Sequence, residues 1–260
     1  VTVTKSRTSV TAEQIAANPE KYYGQEVLNY TQGDLKYRIF YVDKENKFVD
    51  GANTIYLKAD YKTTTTLSSY INYTPTGSDL ETYKKMNPSW AAKRGSNTSN
   101  WNNNEHASSW LCSPSQWTTY CDTTKANYAI GGPSVEMYVA SYNQIPHTQI
   151  GNYILGATYR ATNAPGYIYT LNGKQSTTSN SDYYTGDTTI DYKGYNSMYA
   201  GKNGTKSGYW WLASPSSYGS ASVCRVGGGG TGLDGYAYSN ANGIAPLVSL
   251  KSGIQVEIEE

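Results

Sequence analysis

The sequence predicts an α+β fold, and three patterns carry the prediction. Thr11-Ala12-Glu13-Gln14 has the spacing of a helix capping box, Tyr37–Val42 and Thr54–Ala59 read as strands, and Val135, Tyr138, Val139 and Tyr142 repeat with helical period. The capping box opens a short helix that stops near Asn18, because Pro19 disfavours helical geometry in the residue before it. Residues 1–20 are therefore read as an N-terminal stub. The two strand patterns flank the turn-rich stretch Asp43–Asn53 and form an antiparallel hairpin. Thr63–Asn104 is polar and reads as long ordered loops, with one helix over Asp79–Met86 entered through Ser78-Asp79-Leu80-Glu81. Pro133 then sits where a first-turn proline is tolerated, so the helix that follows packs one face on a sheet. Leu171–Gly208 returns to Thr, Ser, Asn and Gly, with Gly201–Gly208 as an exposed turn region, and the core resumes at Tyr209.

Composition narrows the function classes. The 260 residues fit one domain able to bury a substantial core. Lys+Arg 21 against Asp+Glu 20 leaves a net charge of +1, too little to hold a polyanion by counterion release, so nucleic acid is not an expected partner. Tyr 27 against Phe 2 suggests aromatic area that faces solvent or a ligand. Charged residues at 16% with abundant Thr, Ser, Asn and Gly suit a secreted or cell-surface protein. No apolar run is long enough to cross a bilayer and no signal peptide is seen, so any anchor is expected to have been removed. Cys112 and Cys121 either close a short disulfide loop, worth roughly 2 to 3 kcal/mol, or are free buried thiols.

Motifs of chemistry are weak. Gly227–Gly232 matches Gly-x-Gly-x-x-Gly, but Leu233-Asp234-Gly235-Tyr236 follows without helical period, so no helix N-terminus meets a pyrophosphate. A shallow glycine floor is the better reading. His106 and His147 lack metal-ligand spacing, no Gly-x-Ser-x-Gly elbow occurs, and no calcium loop is found. No cofactor, metal site or catalytic residue is assigned. Trp110-Leu111-Cys112-Ser113-Pro114-Ser115 is echoed by Trp211-Leu212-Ala213-Ser214-Pro215-Ser216, which reads as a repeated local turn and not as a duplicated domain.

The C-terminal stretch 209–250 is the most informative. Trp210, Trp211 and Leu212 on one side and Ile244, Leu247 and Val248 on the other read as core, enclosing Tyr, Ser, Gly and Asn of the kind that antibody loops use for contact. Lys, Glu, Gln, Trp and Met make up 43 of the 260 residues, yet Ala213–Leu250 contains none of them, where roughly six are expected. No codon ending in a pyrimidine encodes any of these types, so randomising the first two bases of Asn codons leaves this gap.

Three stretches carry a family resemblance: Ala16-Ala17-Asn18-Pro19-Glu20-Lys21-Tyr22-Tyr23-Gly24, Tyr128-Ala129-Ile130-Gly131-Gly132-Pro133-Ser134-Val135-Glu136-Met137, and Trp211–Ser216 through Gly243–Val248. The chain resembles pilin-like bacterial surface proteins with a C-type lectin-type variable domain, diversified by diversity-generating retroelements. The resemblance implies a C-type lectin-like fold with a small twisted antiparallel sheet, two main helices and extensive loops. It also implies a single ectodomain over 1–260 that follows a missing membrane helix, on the cell surface or a pilus. Ala245 departs from it, standing where Arg often precedes the Pro, and calcium-dependent sugar motifs are missing.

The function expected is a non-enzymatic, receptor- or adhesin-like variable protein that binds a protein or glycan on another cell, phage or host. The expected ligand-binding residues are Tyr218, Ser220, Ser222, Arg225, Gly227, Gly229, Thr231, Leu233, Asp234, Tyr236, Tyr238, Asn240 and Asn242. Tyrosines would supply area, Arg225 and Asp234 charge selectivity, and small residues shape. One alternative is a structural minor pilin or pilus-tip subunit that contacts other pilin subunits. An enzyme on a related fold, such as a sulfatase-modifying oxygenase, is weaker because Cys224 is the tail's only cysteine.

Overall fold

The computed structural model describes residues 6–32, 35–48, 50–60, 63–66, 77–86, 108–113, 117–144, 153–156, 168–171, 198, 202–203, 206–207, 209–215, 222–226, 233–237 and 239–260. The chain enters through β1 (Arg7–Thr11), α1 (Ala12–Ala17) and α2 (Pro19–Tyr22). The capping box forms with both bonds: Thr11 Oγ1 accepts from the Gln14 amide at 3.2 Å, and Gln14 Oε1 accepts from the Thr11 amide at 2.8 Å. Asn18 ends α1 and Pro19 starts α2, where its missing amide costs nothing. The segment read as a stub is built into the fold. β1 pairs antiparallel with β16 (Gln255–Glu259), and Ile15 is fully buried.

The first large sheet has the order β2 (Glu26–Gln32), β3 (Leu35–Asp43), β4 (Thr54–Ala59), β15 (Leu247–Leu250), β6 (Ala126–Ile130), antiparallel throughout. The predicted hairpin is β3 and β4, with Asp43 opposite Thr54. Its turn is organised by the buried Asp43 carboxylate, which accepts from the Lys47 and Phe48 amides at 2.8 Å each. Asn29 clasps β16 to β2, donating to the Gln255 carbonyl at 3.1 Å and accepting from the Glu257 amide at 2.9 Å.

The second sheet comes mostly from the tail. Its order is β13 (Leu233–Ala237), β12 (Ser222–Val226), β11 (Trp210–Pro215), β14 (Ala241–Ile244), β5 (Thr63–Thr66), and the β11–β14 contact is parallel. β5 falls where the polar composition suggests loop; its four threonines are β-branched and pair with β14. The two sheets share a ribbon, because β4 leads towards β5 and β14 leads into β15. Lys58 faces Leu247 and Thr63 faces Ile244, so the β4–β5 side carries two more residues than Ala245-Pro246 opposite it. Such an excess bends a strand pair as a bulge does. Two five-stranded sheets thus replace the one small sheet expected. Short pairs β7 (Tyr153–Gly156) with β8 (Ile168–Leu171), and β9 (Lys202–Asn203) with β10 (Lys206–Ser207), complete the described strands.

Helix α3 (Gly77–Met86) contains the predicted 79–86 stretch, and α4 (Val135–Gln144) follows Pro133 as expected. Val135 and Tyr138 are buried, and Gln144 at the end of α4 donates to the Val42 carbonyl at 2.8 Å, fixing the helix on β3. Side chains of Val139 and Tyr142 lie outside the described set. Gly131 and Gly132 before α4 are demanded by close approach. A Cβ at Gly131 would stand 2.3 Å from the Trp117 ring, and one at Gly132 would stand 2.9 Å from the Trp211 carbonyl oxygen.

Among the tyrosines whose side chains are described, most belong to the core and not to wet aromatic surface. Tyr22, Tyr23, Tyr30, Tyr37, Tyr41, Tyr56, Tyr83 and Tyr138 are all buried. Hydroxyl partners make this possible: Tyr37 donates to the Tyr120 carbonyl at 2.7 Å, and Tyr83 bonds Ser108 at 3.2 Å. With its hydroxyl satisfied, Tyr serves as core in a chain poor in Phe. All three cysteines are buried and none is in a disulfide, so the thiol alternative holds for Cys112 and Cys121.

The Trp-Leu echo does not repeat one turn. Trp110 closes a helical turn at 108–110, whereas Trp211 lies in β11. The two copies instead meet: the Cys112 thiol points at the Ala213 carbonyl at 3.7 Å.

Candidate ligand-binding face

The tail sheet is fastened by its first strand. Trp210, Trp211 and Leu212 are fully buried, Ile244 is 3% exposed, and Leu247 and Val248 are fully buried, as expected of the frame. The Ala213 amide donates to the Pro133 carbonyl at 2.9 Å, while Ser214 Oγ accepts from the Val135 amide at 3.0 Å. One serine of the tail therefore satisfies a free amide in the first turn of α4.

Lys58 is the unexpected member of this junction. It is fully buried, its ammonium lies 4.6 Å from the Trp210 ring centroid and 6.0 Å from that of Phe40, and it donates to the Ala59 carbonyl at 3.0 Å. Burial pushes its pKa down to about 8, with Asp60 pulling upward and Arg38 adding to the drop. Asp60 is itself paired with Arg38 at 3.2 Å. The cation links a strand of the first sheet to the leading Trp of the second. A lone Lys in an alternating strand pattern gives no sign of this role.

The predicted contact residues divide into three groups. Tyr218, Ser220, Gly227, Gly229, Thr231 and Tyr238 lie outside the described residues. Ser222, Leu233, Asp234 and Tyr236 are placed by backbone: Ser222 opposes Ala237, Leu233 opposes Val226, Asp234 opposes Arg225 and Tyr236 opposes Val223. Because successive strand residues alternate between faces, Arg225, Asp234 and Tyr236 share one face of the sheet and Ser222 and Leu233 the other.

Three residues are placed with their exposure. Asn240 is half-buried. Arg225 and Asn242 are buried, 7% and 4% exposed, which corrects their reading as solvent-facing contacts. Each stands on a strand with neighbours on both sides, β12 between β11 and β13, and β14 between β11 and β5. The Arg225 guanidinium lies 3.9 Å from the ring centroid of Tyr209, and the Asn242 amide nitrogen has no hydrogen-bond partner. Tyr209, read from the sequence as the residue at which the core resumes, is instead 41% exposed, and the core begins one residue later at Trp210.

Elsewhere a groove of about 720 Å³ opens between α1 and the β3–β4 turn, lined by Glu13, Ala16, Asp50, Asn53, Asn127 and Ser252 among others. None of the predicted residues lines it. Among the described residues no group of three or more His, Cys, Asp or Glu side chains is placed to hold a metal ion, and His106 and His147 lie outside that set. No described helix is long and apolar enough to cross a membrane. Compared with protein-family models, curated proteins and solved structures, the chain matches none.

Proposed function

We propose that this chain is a non-enzymatic, surface-displayed variable protein of C-type lectin-like fold, diversified by a retroelement, whose tail binds a protein or glycan on another cell, phage or host. The observation that carries the reading is the absence of Lys, Glu, Gln, Trp and Met from Ala213–Leu250. The frame supports it. Large residues on each side of the tail are buried, which leaves the sequence between the strands free to change without loss of core. Recognition then falls to 216–221 and 227–232, which join β11 to β12 and β12 to β13 in sequence, and to Tyr238 after β13, with Tyr218, Ser220, Gly227, Gly229, Thr231 and Tyr238 as the residues expected to vary.

The test is a library with codons 218, 220, 229, 231 and 238 randomised at their first two bases and displayed on cells. Most clones are expected to fold, and clones selected on different protein or glycan targets are expected to differ only at these codons. Equal capture of every target by all folded clones would count against the reading. At the DNA level, a near-copy of the tail-coding segment beside a reverse transcriptase gene, differing opposite adenines, is the expected companion.

A further inference from the structure

Among the residues whose side chains are described, Tyr209 is the one large hydrophobic residue exposed to solvent. It does not dangle. Its carbonyl accepts the Gly243 amide at 2.7 Å, the next two residues are fully buried tryptophans, and the Arg225 guanidinium packs 3.9 Å from its ring centroid. One face of the ring is covered by a buried cation while the residue keeps 41% of its surface in water.

That arrangement has chemical consequences. A ring fixed from below has little side-chain freedom left to lose on binding, which is the main cost of using a flexible contact. The cation also draws ring electrons towards itself, so the outer face is less negative than in a free tyrosine. A second cation is therefore disfavoured there, and the polarised C–H groups of a sugar gain less. A planar, neutral partner stacked with offset gains most.

Resting on the receptor reading above, we propose that Tyr209, clamped by Arg225, is a fixed anchor of the binding face that stacks on an aromatic side chain of a protein ligand. It stands where the tail begins, and its neighbour Trp210 is the register partner of Val226, directly before Gly227 in sequence. A constant anchor beside changeable residues gives every variant the same first contact.

The experiment uses the full chain with N-acetyl-tryptophanamide and a panel of methyl glycosides as probes, read by saturation-transfer NMR. The tryptophanamide is expected to bind saturably, Tyr209→Ala to weaken it by about tenfold or more, and Tyr209→Phe to stay within about twofold. Thermal scans check that each variant is folded. Unchanged binding in folded Tyr209→Ala, or glycosides binding at Tyr209 where the tryptophanamide does not, overturns the proposal. The two readings fail separately: protein capture that follows codons 218–238 yet survives Tyr209→Ala sinks the anchor alone. Capture that needs Tyr209 but ignores those codons sinks the variable receptor.

Discussion

The two five-stranded sheets are built on different terms. In β2-β3-β4-β15-β6 every pairing is antiparallel and the interior is aromatic, with Tyr30 and Tyr37 edge to face at 4.8 Å and Tyr41 against Phe48 at 5.6 Å. The tail sheet β13-β12-β11-β14-β5 includes a parallel contact of one register pair, Trp210 with Gly243, and has four threonines at one edge. Its two tryptophans, Trp210 and Trp211, bury completely at its start, and Val223, Val226 and Ile244 are buried on the strands that follow. The first sheet is held through an aromatic interior, the second through its tryptophan strand together with smaller buried residues such as Val223, Val226 and Ile244. If the tail accepts changing sequence, as proposed, these buried frame positions are the ones that must stay constant.

The sharpest way to break this comparison is Trp211→Ala. Trp211 is fully buried, and its carbonyl oxygen crowds Gly132 so closely that the glycine could not carry a side chain without movement. Truncation is expected to cost roughly 3 to 5 kcal/mol in urea unfolding. A loss below about 1 kcal/mol would show that the tail sheet does not depend on its first strand.

A second, smaller effect concerns Lys58 at the seam between the sheets. Its folded pKa lies at about 8 against 10.5 for the ordinary group, so between these values the unfolded chain holds more protons than the folded one. Stability therefore rises with pH across that window, by about 2 kcal/mol between pH 8 and 10. Tyrosines reverse the trend above it. Burial raises the pKa of Tyr30, Tyr37, Tyr41 and Tyr128 above the ordinary value of 10.0, so there the folded chain holds more protons and stability falls. Thermal scans from pH 7 to 11 should peak between about 9 and 10, and Lys58→Met should remove the rising limb while leaving the alkaline fall. A flat profile in the native chain would place the Lys58 ammonium in contact with water.

Much of the scaffold was legible because its signals are local. Thr11 and Gln14 sit three residues apart and form the capping box, and Pro133 precedes α4 where the period of Val135 and Tyr138 puts a helix. Trp210 to Leu212 and Ile244 to Val248 read as core from apolar character alone. What stayed hidden depends on partners distant in sequence. The burial of Tyr37 rests on a carbonyl 83 residues away, and β5 exists because Thr63–Thr66 meet β14. The exposure expected of Arg225 failed for the same reason: its packing against the Tyr209 ring depends on a partner 16 residues away. Strand alternation, which divides Ser222 and Leu233 from Arg225, Asp234 and Tyr236, was legible only once strand limits and register were known.

The smallest expected effect sharpens the comparison most. If the tail sheet is carried by its frame, then Thr231→Ala and Ser220→Ala, which fall between strands in sequence, should each change unfolding free energy by no more than about 0.5 kcal/mol. Val223→Ala, fully buried in β12 and opposite Tyr236, should cost several times that, because it removes packed methyl groups. Equilibrium urea curves on the three variants decide the matter. Equal losses at all three would mean that the tail packs as densely between its strands as within them, leaving no residues free to vary without harm to the fold. A clear gap between Val223 and the other two separates frame from face inside a single run of sequence.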